Sequence, residues 1–347
     1  YTFTYLKAFD MCQKIIKSNG FYKGCPQWER RIPQIDLYKM CHFDNNAKRT
    51  SLKALQFAMR SHSLEDLPFD IRPLNDQEKD VLCAYNHHDN EETEKFLNKV
   101  EHMIDMRREY LDEQIILGDV LNFSDVKIGT EYLINRLGKH KCFSGRKPKQ
   151  TFREFIRIGE VILPKIHYKT ELYDEVRQWF AAQTIYPAGK NKPTLTKDLG
   201  GLPFHFGVGG VHASASNRTY ETTDTHQIID IDVAGMYVAV AIVNRFAPAH
   251  LGEAYVDAYR QVKEDRARYP KGSSRNAAMK LAGNGAYGNS NNPYSPFYDP
   301  QYTFTVTVNG QLQLLQLVEM IDLIPECELI QANTDGITVN IRKDMID

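Results

Sequence analysis

Apolar positions in this chain recur in short runs, and the period of each run predicts an element. The stretch 228–240, IIDIDVAGMYVAV, gives the strongest reading. A buried strand, IIDID, runs into a turn that carries Gly235, Met236 and Tyr237. Asp230 and Asp232 interrupt the apolar run two positions apart, so both carboxylates leave the same face of the strand. An unpaired buried carboxylate is expensive. Such a pair requires a metal ion, a basic partner or the edge of a cleft, and solvated acids at a strand end are the plain alternative.

The remaining elements follow in order. Residues 9–17 are apolar at helical period and end near Gly20; 35–41 alternate like a short strand or a helix start. Residues 51–61 set Leu52, Leu55, Phe57 and Met59 at near-helical spacing behind a Ser51 cap. A proline-punctuated loop over 66–73 leads to a helix pair over 76–104, and 105–200 are mixed helix and loop. Within that region 154–180 read as a strand-and-helix unit, and 186–203 as a loop rich in Pro, Gly and Lys. Gly200 and Gly201 predict a hairpin turn before the glycine-dense segment 207–212. Residues 249–269 form a helix with Leu251, Tyr255, Ala258, Tyr259 and Val262 on one face and Arg260, Lys263, Arg266 and Arg268 on the other. Pro270, Lys271 and Gly272 break it, and a second helix over 274–287, with Arg275, Lys280, Asn284 and Tyr287 close to one stripe, completes an antiparallel helical hairpin. TFTVTV at 303–308 alternates as a strand, and 311–324 form an amphipathic helix. Strands at 328–332 and 336–341 make a β-hairpin around Asn333, Thr334 and Asp335.

Composition narrows the class. The 347 residues suffice for two or three domains, and 42% hydrophobic with 25% charged residues is ordinary for a globular protein. A net charge of −1 means that any nucleic-acid site must rest on local asymmetry. Such asymmetry exists over 136–153, where Arg136, Lys139, Lys141, Arg146, Lys147, Lys149 and Arg153 occur without an acid in a glycine- and proline-bearing loop. That run reads as a phosphate-neutralising segment or as a solvated face. The six cysteines are scattered without a C-x-x-C pair, which excludes a zinc finger and favours reduced thiols. No run of about 18 apolar residues is present, so no membrane span is expected. With a first residue that is not Met and an end just past a strand, the chain is expected to be a piece of something longer.

Three motifs in order make the chain resemble one family. Asp232-Val-Ala-Gly-Met-Tyr237-Val238 resembles D-x-x-S-L-Y-P, with Gly235 for the serine and Val238 for the proline. Lys280-Leu-Ala-Gly-Asn284-Gly-Ala-Tyr287-Gly288 meets K-x-x-x-N-x-x-Y-G in full, and Asn333-Thr334-Asp335 resembles D-T-D with its first Asp replaced. These are the palm and fingers motifs of the family B DNA polymerases, particularly the bacteriophage members. The segment 206–212, with Gly209 and Gly210, is similar to the glycine-containing link that contacts DNA before the palm. Tyr85-Asn-His-His-Asp89 resembles the third motif, Y-x-x-x-D, of the family's proofreading domain, and Asp10 fits the end of the second.

The resemblance implies an α/β (α+β) fold: an RNase H-like 3′–5′ exonuclease remnant over 1–105, a linker and palm-associated region over 106–225, a palm of antiparallel sheet over 226–246 and 288–347, and two-helix fingers over 247–287. It implies template-directed DNA synthesis on primer-template DNA from dNTPs, with two Mg2+ ions (Mn2+ as substitute) held by Asp232, Asp335 and the Val233 carbonyl. Lys280, assisted by Arg275 and by Lys271 or Arg268, is expected on the triphosphate. Tyr237 is expected under the sugar, and Asn284 and Tyr287 near the nascent base pair. Asp10, Tyr85 and Asp89 are expected at the exonuclease site, and the basic run 139–149 on DNA. Contact with other replication proteins and a cytoplasmic location, that of a bacterial host for a viral protein, complete the expectation. Two rivals stand: a nuclease-only or degenerate DNA-binding protein, and a scaffold in which Asp232 and Asp335 lie far apart.

Overall fold

The computed structural model describes residues 13–14, 17, 32, 34–43, 48–69, 72, 74–116, 118–189 and 192–346. The helix expected over 9–17 falls mostly, and Asp10 entirely, outside these residues. The fold mixes helices with antiparallel sheets.

The described N-terminal part is helical: α1 (Leu37–Met40), α2 (Leu52–Met59) and α3 (Asp76–Asp112). Segment 35–41, read as a strand or a helix start, is the short helix α1, capped by Asp36. Ser51 caps α2, accepting a bond from the Ala54 amide. The expected helix pair over 76–104 is a single helix of 37 residues. Its polar middle holds no Gly or Pro to break it, and Asn75 and Glu78 close its start in a reciprocal capping box. The helix passes through residue 105 without a break. Fully buried Arg107 fastens its C-terminal half. The guanidinium donates to the Met103 and Phe123 carbonyls and, at 2.6 Å, to Asp125.

Asp125 opens α4 (Asp125–Leu137), followed by α5 (Lys139–Cys142) and a hairpin of β1 (Phe143–Ser144) and β2 (Lys147–Pro148). The basic run 136–153 is thus a helix end, a short helix and a tight hairpin rather than a flexible loop. A second small ladder pairs β3 (Ile156–Arg157) with β4 (Thr184–Ile185) around α6 (Glu171–Ala181).

The main sheet comprises β5 (Leu195–Leu199), β6 (Leu202–Phe206), β7 (Val211–Ser214), β8 (His226–Asp232), β9 (Glu328–Asn333) and β10 (Gly336–Arg342). Its order is β5-β6-β7-β9-β10-β8, antiparallel throughout. Segment 186–203, expected as a loop, therefore contributes a strand and part of another. The hairpin turn expected at Gly200 and Gly201 is present, with φ of +53° and +78°. One face of the sheet is apolar: Phe204, Phe206, Val211, Ala213, Ala332, Ile337 and Val339 are buried in the main core. The other face carries Thr196, His205, His212, Gln331 and Asn333 and is open.

Behind the sheet, α10 (Pro300–Asp322) touches β9 and carries α7 (Met236–Val243), while α8 (Glu253–Ala267) and α9 (Ser274–Asn289) pack on each other, on α7 and on α4. Helices α8 and α9 form the expected hairpin, and Tyr255, Ala258, Tyr259 and Val262 are buried as its periodicity requires. Gly129 of α4 lets α9 come close, since a Cβ there would lie 2.6 Å from the Ala282 Cα. The strand expected over 303–308 is instead part of the 23-residue α10. The Thr/Val alternation misled because both kinds of residue are buried. The Thr305 hydroxyl donates to the Gln301 carbonyl at 2.8 Å and the Thr307 hydroxyl to the Val208 carbonyl at 2.7 Å. Asp299 caps the helix and Pro300 starts it.

Candidate active site

Asp232 ends β8 directly opposite Gly336, the first residue of β10, so Asp335 lies beside it across the ladder. The Val233 amide donates to the Asp335 carbonyl at 2.9 Å, which ties the two segments at this point. Gly336 gives the Asp232 carboxylate room: a Cβ there would stand 3.4 Å from its Oδ1. The turn between β9 and β10 puts β-branched Thr334 at φ +57°, a disfavoured conformation. Its amide is held by the Val211 carbonyl at 2.9 Å, so a neighbouring strand fixes the turn that presents Asp335. Gly235, at φ +59°, turns the chain after Asp232 into α7.

A cleft of about 720 Å³ opens between this sheet end and the α8–α9 hairpin. Asp232, Tyr237 and Asp335 line one wall, and Lys280, Asn284 and Tyr287 of α9 the other. The last three stand at i, i+4 and i+7 and so share one helix stripe. Lys263 and Arg266 of α8 and Lys271 of the hairpin tip complete the basic wall. Arg260 and Arg268, from the same expected basic face, pair instead with Asp257 and Asp265 at 3.4 and 3.1 Å.

Burial and then the charge of Asp232 raise the Asp335 carboxyl above the usual aspartate range, and Lys280 partly offsets the shift. The two acids therefore feel each other and the lysine across one cleft, as the scaffold rival does not allow. Tyr237 is 7% exposed. Its hydroxyl donates to the Gly209 carbonyl at 3.0 Å, and its ring meets that of Tyr287 edge-on at 4.9 Å. Burial is the main cause of its raised phenol pKa, with Tyr287 and Asp335 adding to it. Burial and Asp335 likewise raise the Tyr287 phenol.

Arg275 requires a correction. It does not line the cleft. Its guanidinium donates to Glu109 at 2.8 Å and Glu113 at 2.6 Å on α3, and lies over the Tyr110 and Tyr269 rings. Val233 also stays off the cleft wall. Its side chain faces a groove with Leu314 and Leu317, and its carbonyl accepts from the Met236 amide at 3.0 Å.

The expected exonuclease residues Tyr85 and Asp89 lie on one face of α3, and burial together with the Asp89 carboxylate raises the Tyr85 phenol. Of the basic run, Arg136 pairs with Asp265 at 2.7 Å and Arg153 with Asp299 at 3.2 Å, while the Lys149 ammonium donates to the His140 carbonyl at 2.9 Å. Lys139, Lys141, Arg146 and Lys147 are exposed, and none of them lines the cleft.

Other anchoring residues gave little sequence signal. The carbonyls of Gly207, Val208 and Gly209 each take a side-chain bond, from Gln311 (2.8 Å), Thr307 (2.7 Å) and Tyr237 (3.0 Å). A trans peptide sets N–H opposite C=O. The amides of Val208, Gly209 and Gly210 are thereby turned away from the core. At Gly310 of α10 a Cβ would fall 2.7 Å from the Tyr237 ring, so only glycine admits that ring.

Among the described residues no group of three or more His, Cys, Asp or Glu gathers as a metal site. The donor set at the cleft is two carboxylates whose mutual repulsion a divalent cation would relieve. It fits Mg2+, which takes one or two carboxylates and completes its shell with water and substrate phosphates. No helix of the described residues is long and apolar enough to cross a membrane.

No family model matches the chain. No curated protein matches it either. Among solved structures it is similar to the family B DNA polymerase from the hyperthermophilic archaeon Pyrobaculum calidifontis, at 15% identity and a TM-score of 0.45. That alignment covers 95% of this chain and 44% of the polymerase, so the chain spans less than half of that protein's length.

Proposed function

We propose that the cleft is the nucleotidyl-transfer centre of a template-directed DNA polymerase of the family B kind. One observation carries the reading. Two carboxylates 103 positions apart in the chain meet at one sheet end, facing Lys280 from a helical hairpin. Phosphoryl transfer needs positioning and charge neutralisation more than covalent chemistry, and the two walls divide those tasks. Asp232 and Asp335 would hold Mg2+ or Mn2+, which supplies charge stabilisation at the reacting phosphate. Lys280, with Lys263, Arg266 and Lys271, binds the dNTP triphosphate. Tyr237, immobilised by Gly209, Gly310 and Tyr287, sits where a sugar would be gauged. Asn284 and Tyr287 border the position of the new base pair. Arg275 has no part in triphosphate binding.

The outward amides of the 207–210 loop support a contact of Gly209 and Gly210 with the DNA backbone. A 3′–5′ exonuclease activity from Tyr85, Asp89 and Asp10, the division into exonuclease, palm and fingers segments, and contacts with other replication proteins belong to the same proposal.

Primer extension by the purified protein tests the reading. Asp232→Asn and Asp335→Asn should each slow nucleotide addition by about a thousandfold, the equivalent of several kcal/mol of lost charge stabilisation. Affinity for primer-template DNA should stay within about threefold, because carboxylates do not attract phosphates. Wild-type extension rates in either variant would refute the assignment.

A further inference from the structure

We propose that His205, His212 and Asn333, on the open face of the main sheet, form a track for the phosphates of the DNA duplex behind the reacting end. The inference rests on the polymerase reading above. The register supplies the track: Thr196, His205, His212, Asn333, Gly336 and Asp232 are successive cross-strand partners from β5 to β8. Residues directly opposite on neighbouring strands share a face, so the row runs straight from Asp232 across the whole sheet. Strands lie about 4.8 Å apart, which puts His212 about 14 Å and His205 about 19 Å from Asp232.

Each imidazole is fixed through one nitrogen. His212 Nδ1 lies 3.0 Å from Asn333 Oδ1, and His205 Nδ1 lies 2.9 Å from the Thr196 hydroxyl. An amide oxygen only accepts, so His212 Nδ1 carries the proton, and its Nε2 donates to a phosphate oxygen only when the ring is the doubly protonated cation, in which both nitrogens donate. The Thr334 hydroxyl donates to the same oxygen at 3.3 Å. The Asn333 amide nitrogen and both Nε2 atoms are left to exposed side chains on the open face. The neighbouring row, Ser214, Gln331 and Thr338, is neutral and hydrogen-bonding, and its Thr338 hydroxyl donates to Asp230 at 2.8 Å. Acids on these strands are Asp230 and Asp232 on β8, Asp198 on β5 and Glu328 at the far end of β9, where Arg218 pairs with it at 2.8 Å.

The same geometry explains Asn333. A carboxylate there would repel a backbone phosphate beside the two acids already present. A neutral amide whose oxygen is tied down by His212 and Thr334 presents donors instead. Duplex DNA advances about 3.4 Å per base pair, so His212 and His205 would meet phosphates about four and six pairs behind the reacting end.

The test uses labelled primer-templates with about three or about twelve paired bases beside the same overhang, compared by anisotropy and by extension. His205→Ala with His212→Ala should raise Kd for the long duplex about tenfold and leave the short one unchanged, as two lost phosphate contacts imply. The Gln, Gln double variant, which keeps a donor at each position, should stay within about threefold of wild type. The dNTP KM at saturating long duplex should not move. An unchanged Kd for the long duplex, or an equal loss at both lengths, overturns the track while wild-type extension upholds the polymerase reading. A wild-type protein that neither binds nor extends either substrate overturns that reading, and the track with it.

Discussion

Lys280 and Arg275 are basic residues on the same helix with opposite fates. Five positions at 3.6 residues per turn separate them by about 140° around the axis, and Arg275 is diametrically opposed to Asn284. Helical period alone therefore assigns Lys280, Asn284 and Tyr287 to one stripe and removes Arg275 from it. The expectation that set Arg275 close to that stripe missed this angle. Arg275 joins α9 to α3 through two glutamates and two aromatic rings. Lys280→Ala should raise the dNTP KM at least about tenfold, the loss of one charge-assisted contact. Arg275→Ala should leave that KM within about twofold and lower stability by on the order of 1 kcal/mol, since its partners are half exposed. Steady-state kinetics with urea unfolding of both variants checks this, and a raised KM in the Arg275 variant would return that residue to the cleft.

At the scale of elements, the helical hairpin, the β9–β10 turn and the β8 strand were legible because each carries an unambiguous local signal. The period is 3.6 in the first, and the other two have turn residues or an apolar run. The first half of helix α10 was not legible, because burial on all sides over 302–312 removes the contrast that period analysis needs, whereas the amphipathic second half was. Its threonines are inside, satisfied by carbonyls, and its polar residues work as anchors. Gln311, Thr307 and Gly310 hold the glycine loop and the Tyr237 ring from below. Those contacts join positions 73 to 104 residues apart, beyond the reach of any local pattern. Gly310→Ala should destabilise the fold by about 1–3 kcal/mol, because the new methyl overlaps a ring already held by Gly209 and Tyr287. Urea unfolding measures it. A neutral result would mean that Tyr237 is free to move, and would weaken its reading as a rigid gauge of the sugar.

For the whole molecule, a net charge of −1 hides two opposed walls, acidic at the sheet end and basic on the helical hairpin. The acidic wall sets the pH response. Asp335 has its carboxyl raised by burial first and by Asp232 second, so the folded protein favours its protonated form more than the unfolded chain does. The stability that this preference provides is complete below the unfolded value, about 3.9, and is lost as pH rises through the elevated folded value. At neutral pH in chelator the ionised Asp335 is therefore a liability, and Asp335→Asn should be the more stable protein. The gap should close as pH falls below the ordinary aspartate range. Adding Mn2+ should reverse the order: a cation at a hundred times its Kd stabilises the wild type by about 2.7 kcal/mol and does little for the variant. Thermal unfolding at neutral and acidic pH, with and without the cation, reads all three effects. Equal cation stabilisation of both proteins would mean that the ion is held elsewhere. A variant less stable than wild type in chelator at neutral pH would mean that Asp335 is stabilised by its surroundings rather than strained by Asp232.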